Sequence, residues 1–159
     1  MTKQLNKKGT SLVELIAVIV IMGIIAGIAV PVTIAVINRQ KKNAAIKSAE
    51  NCYTAAETVL TEALATGITG TLNGYVTETT GDNAQYSVTA EALAEKGDIK
   101  KNPFASAVTF SVLKNAENPT VTVTGVSATQ YVEVNGVKVY YNNGFTLTAG
   151  TTTTTTPTA

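Results

Sequence analysis

The chain contains no histidine and no tryptophan, and a single cysteine, Cys52, among its 159 residues. Without His, the usual general base and the commonest metal ligand are missing together. One Cys cannot form an intrachain disulfide, so an exported protein of this sequence depends on core packing alone. Charge is also scarce: 14% of residues are Asp, Glu, Lys or Arg, and the net charge is +1. That balance argues against a general binder of nucleic acid or of acidic substrates. No nucleophile and base, and no pair of carboxylates, are brought together by the pattern. The expectation is therefore no enzyme and no cofactor.

What the chain does have is one long uncharged interval. From Leu15 to Ile37 there are 23 residues without a charged side chain. As a helix this stretch covers roughly 34 Å, enough to cross a hydrocarbon core of about 30 Å. It is preceded by Lys7-Lys8-Gly9-Thr10-Ser11-Leu12-Val13-Glu14. Glu14 is the anomaly, because a carboxylate next to a membrane segment is costly unless it sits at the interface or has a partner. Gly23, Gly27 and Pro31 recur at intervals of four. Pro31 lacks the N–H that would bond the Gly27 carbonyl, so 23–31 is the weakest part of the expected helix. A secretory signal peptide is one reading, with Lys3, Lys7 and Lys8 as its basic region and Gly27-Ile28-Ala29 near its cut. A plain membrane span, with Gly23 and Gly27 as a packing motif, is another. Neither gives Glu14 a role, and the apolar run continues past Ala29.

Over about residues 7–40 the chain resembles the type IV pilins. That family has a short basic leader ending in Gly, a glutamate five residues beyond the cut, and an apolar helix broken by Gly and Pro. On this chain the leader is 1–9, the processing residues are Gly9 and Thr10, and the assembly residues are Glu14, Gly23 and Pro31. The family usually has Phe or Met where this chain has Thr10. The resemblance implies cleavage after Gly9 and N-methylation of Thr10 by a prepilin peptidase. It also implies a homopolymer in which Glu14 pairs with the Thr10 amine of a neighbouring copy, and export through a membrane assembly platform driven by a cytoplasmic ATPase. The chain would lie in the cell membrane before assembly and in an extracellular pilus filament afterwards, serving adhesion, motility or DNA uptake. Many Gram-negative members close a loop with a disulfide; a chain without one suits a Gram-positive source. A monomeric anchored or secreted binding module, and a pseudopilin of a secretion or competence system, remain as alternatives.

Beyond Ile37 the pattern turns amphipathic. Ala45, Ala49, Cys52, Tyr53, Ala56, Val59, Leu60, Ala63 and Leu64 follow the spacing of one helical stripe, and Gly67 is a stop. A helix over 10–66 is expected. Cys52 lies on the stripe and reads as core. The Arg39-Gln40-Lys41-Lys42 cluster marks the end of the apolar run; no specific nucleic acid is expected to bind it. Residues 67–87 read as a connecting loop with a short strand near Tyr75-Val76. Glu78, Asp82 and Asn83 could offer oxygens to calcium, but match no motif. Thr89–Lys96 reads as a short helix, with Thr89 as N-cap and Gly97 as stop. From Val108 the period becomes two, and Asn135-Gly136 is a strong hairpin signal. Asn142-Asn143-Gly144 and Asn118-Pro119 mark further turns. The expected fold is α+β: a long N-terminal helix packed on a C-terminal antiparallel sheet of about four strands. The expected segments are leader 1–9, membrane and polymerisation helix 10–37, globular domain 38–148 and a disordered Thr-rich tail 149–159.

Overall fold

The computed structural model describes residues 11–68 and 72–149. The leader 1–9 with Gly9, and Thr10, fall outside the described residues, as does all of the Thr-rich tail except Ala149. The fold is α+β, in the order α1 (Leu12–Thr66), β1 (Thr77–Thr79), β2 (Gln85–Thr89), α2 (Ala90–Lys96), β3 (Thr109–Leu113), β4 (Thr122–Thr124), β5 (Val132–Val134), β6 (Val137–Tyr141) and β7 (Phe145–Thr146). The chain divides into two compact units, Met1–Gln40 and Lys41–Ala159.

In the second unit α1 buries the stripe read from the sequence. Ala45, Ala49, Cys52, Ala56, Val59, Leu60 and Ala63 are all buried, with Tyr53 and Leu64 packed at the margin. Four of the seven are alanines, which favour helix and let the neighbouring layer approach closely. The helix ends at Gly67, whose φ of 75° is left-handed and whose N–H donates to the Ala63 carbonyl at 2.9 Å. Along the outer side, Ser48, Thr54, Thr58, Thr61 and Thr66 each donate a hydroxyl to the carbonyl four residues earlier.

The sheet order β1-β2-β3-β4 is antiparallel throughout. Tyr86 lies opposite Val112 and Val88 opposite Phe110, all four inside the core. The other face carries hydroxyls: Thr77 bonds Ser87 at 2.7 Å, and Ser111 bonds Thr122 at 2.8 Å. A second sheet, β5-β6-β7, is built of two hairpins. Asn135 and Gly136, at φ 50° and 77°, make the tight turn that the right-handed twist of flanking strands requires. Asn143 at φ 55° serves the β6–β7 turn. Phe104 joins the two sheets: it bridges to Val134 and lies 6.4 Å from Phe110 and 6.0 Å from Phe145, ring to ring. Tyr53 of α1 sits 6.1 Å from Phe110 and 6.0 Å from Tyr141.

The α2 caps agree with the sequence reading: Thr89 accepts from the Ala92 N–H at 3.2 Å, and Gly97 is left-handed at φ 91°. The region 67–87 does not. In place of a loop with a strand at Tyr75-Val76, it supplies β1 and most of β2, and buries Leu72, Val76 and Tyr86. The alternation Gln85-Tyr86-Ser87-Val88-Thr89 runs directly into a helix N-cap, which shortens the visible period. The strands beyond Val108 do not form one sheet either, because β3 and β4 join β1 and β2 while β5–β7 pair among themselves.

Gly125 is the tightest glycine among the described residues. Its φ is 98°, and a Cβ there would stand 2.3 Å from the Ala107 carbonyl oxygen. Gly125→Ala is therefore expected to destabilise the unit by at least roughly 1–3 kcal/mol from backbone strain alone. Thermal unfolding of the detergent-solubilised chain would measure it, and an unchanged midpoint would contradict the close approach.

Candidate functional site

The N-terminal half of α1 begins at a carbonyl that serves two donors. The Ser11 oxygen accepts from the Glu14 N–H at 2.9 Å and the Leu15 N–H at 3.1 Å. This puts the exposed Glu14 in the first helical turn, where unpaired N–H groups and the positive end of the helix dipole favour a carboxylate. The spacing Ser11-Leu12-Val13-Glu14 is that of a capping box.

Sixteen large aliphatic side chains follow on Leu12–Ile37, with exposures between 44% and 72%. They point to every side of the helix rather than forming a stripe. An all-round apolar helix is normally buried in a membrane or in other protein. Burying a side chain of this kind contributes about 1.5–3 kcal/mol, so sixteen of them amount to tens of kcal/mol of unused stabilisation. The helix is long and apolar enough to cross a membrane, and none of that stretch is buried by the chain itself.

Gly23, Gly27 and Pro31 all lie within α1, which stays helical through them. A methyl built on Gly23 or Gly27 would meet no atom within 4 Å, so the room these glycines leave is unused inside the chain. Thr33 donates its hydroxyl to the Ala29 carbonyl at 2.8 Å, within the turn loosened by Pro31. The structure thus places Glu14, Gly23 and Pro31 on one helix. Gly9 and Thr10 lie outside the described residues.

Among the described residues of the second unit, an open cleft of about 460 Å³ lies between Ser48 and Asn51 of α1 and the Asp98–Pro103 segment. Among the described residues no three acidic or Cys side chains converge as metal ligands. Glu78 pairs with Lys114, whose ammonium also lies over the Tyr86 ring at 4.8 Å. Burial, with the Asp98 carboxylate adding to it, pushes Tyr75 up to about 12. Burial likewise pushes Tyr141 up to about 12. Both phenols therefore stay neutral at physiological pH. Cys52 is 1% exposed. Comparison with protein-family models, with curated proteins and with solved structures produced no match.

Proposed function

We propose that this chain is the structural subunit of a type IV pilus-like filament, assembled through the apolar half of α1 after removal of residues 1–9. The observation that carries the reading is Glu14. It is the one carboxylate in the first turn of a helix whose next 23 residues, Leu15–Ile37, are uncharged and which the chain leaves uncovered. In lipid or in a filament core, an ion pair between Glu14 and the Thr10 amine of a neighbour avoids leaving either charge alone. A misplaced subunit would bury an unpaired charge, so the pair specifies register. Gly23, Gly27 and Pro31 give close approach and a helix that yields between them.

On this reading the chain performs no catalysis. The chemistry is done to it by a prepilin peptidase: cleavage after Gly9 and methylation of the Thr10 amine. Its partners are copies of itself and a membrane assembly platform. It resides in the cell membrane before assembly and outside the cell afterwards. A monomeric membrane-anchored module would use the same apolar helix but leave Glu14 without a role.

The intact mass and N-terminal sequence of the protein sheared from its native cells test the proposal. The expected result is a chain beginning at N-methylated Thr10. A chain beginning near Val30 would make it a secreted domain. A chain that retains Met1 would make it an anchored monomer.

A further inference from the structure

The charges on α1 are sorted along the helix. Beyond Glu14 of the first turn, Arg39, Lys41, Lys42 and Lys47 come first with no acid among them; Glu50, Glu57 and Glu62 follow with no cation before the helix ends at Thr66. Among the described residues α1 contains one ion pair, between Lys47 Nζ and Glu50 Oε2 at 2.8 Å. Lys41, Lys42, Glu57 and Glu62 are all exposed, and none of them is in an ion pair among the described residues. The helix's own electrostatics do not account for this order. Glu62 lies one turn from the C-terminus, where the dipole disfavours a carboxylate, and the last turn carries no basic residue.

We infer that Lys41 and Lys42 of one copy dock against Glu57 and Glu62 of a second, parallel copy displaced along the helix axis. The inference rests on the filament reading and adds a register to it. The midpoints of the two bands are about 18 residues apart, which sets a displacement of roughly 27 Å at 1.5 Å per residue. In an unstaggered parallel pair the bands would meet their own kind, acid on acid and base on base. The stagger removes that repulsion and replaces it with attraction, so the charge order sets the position of a neighbour other than the one whose Thr10 amine pairs with Glu14.

The test uses two full-length variants expressed in the native cells, apart and together. Lys41→Glu with Lys42→Glu makes both bands acidic; Glu57→Lys with Glu62→Lys makes both basic. Each variant alone is expected to give at least about tenfold fewer sheared filaments than the wild type, because like charges then face each other across every contact. Co-expression is expected to restore filaments to within about threefold, with both chains present in the same filament, since each acidic band again meets a basic one. All four positions are exposed, so folding is not at issue. Loss that co-expression does not repair overturns the inference and points to anionic headgroups as the partner of Lys41 and Lys42. Normal filaments from either variant alone overturn it as well, with the filament reading intact. A wild-type chain that forms no filaments removes the filament reading, and this inference falls with it.

Discussion

Glu14→Ala is expected to reduce filaments by about a hundredfold or more while the chain still reaches the membrane. The size follows from what remains after the change. If the Thr10 amine of a neighbour relies on this carboxylate, its removal leaves a buried charge unpaired, at a cost of about 3–5 kcal/mol. The competing local explanation is much smaller. A first-turn carboxylate at a helix N-terminus contributes about 0.3–1 kcal/mol through the dipole and the free N–H groups. If capping by Glu14 were its whole role, filaments would fall by less than tenfold. Insertion cannot cause the loss, since removing an acid makes membrane entry easier by up to about 2.5–3.5 kcal/mol. Electron microscopy of sheared filaments beside immunoblots of the membrane fraction would separate the cases. Near-normal filaments from Glu14→Ala would leave the carboxylate as a helix cap and nothing more.

Phe110→Ala is expected to lower stability by about 3–5 kcal/mol, the usual cost of emptying an aromatic site in a packed core. Phe110 is fully buried, sits opposite Val88 and Val123, and meets the rings of Tyr53 and Phe104. The site cannot close over the gap easily, because its neighbours come from α1, both flanking strands and the bridge to the second sheet. A domain of this size has about 5–15 kcal/mol in total, so the melting point should fall by roughly 10–20 °C. Leu113 provides the control on the same strand. It is 47% exposed on the opposite face, and Leu113→Ala should stay within about 0.5 kcal/mol. Equal effects at the two positions, measured by thermal or urea unfolding, would mean that the inner and outer faces of β3 are wrongly assigned.

Much of the fold was legible because local signals and tertiary demands coincide. The α1 stripe from Ala45 to Ala63 repeats at helical spacing, and Thr89 and Gly97 cap α2 by their own chemistry. Asn135-Gly136 turns as its dihedral freedom requires. The strand β2 was not legible, since five residues between a Gly81-Asp82-Asn83 turn and a helix cap show too little period. The division into two sheets was not legible either. It depends on which strands pair, β3 and β4 with β1 and β2 and β5–β7 among themselves, a choice that alternation alone does not carry. Of the candidate site, Glu14 stood out as a charge beside an uncharged run. Its neighbour Ser11 did not, because its part is played by the backbone carbonyl, which no side-chain pattern marks.

The contact between Tyr53 and Tyr141 has a consequence for the order of events in synthesis. These rings are separated by roughly 90 residues of chain, and their pairing closes a loop that must wait until Tyr141 has been made. Phe145 completes the same cluster from β7, the last strand. The apolar segment ending at Ile37 has by then been outside the ribosome for the time needed to make about a hundred more residues, roughly 5–20 s. The uncovered apolar stretch thus emerges long before the contacts of the second unit can be completed. Whatever receives that segment must be at hand during translation.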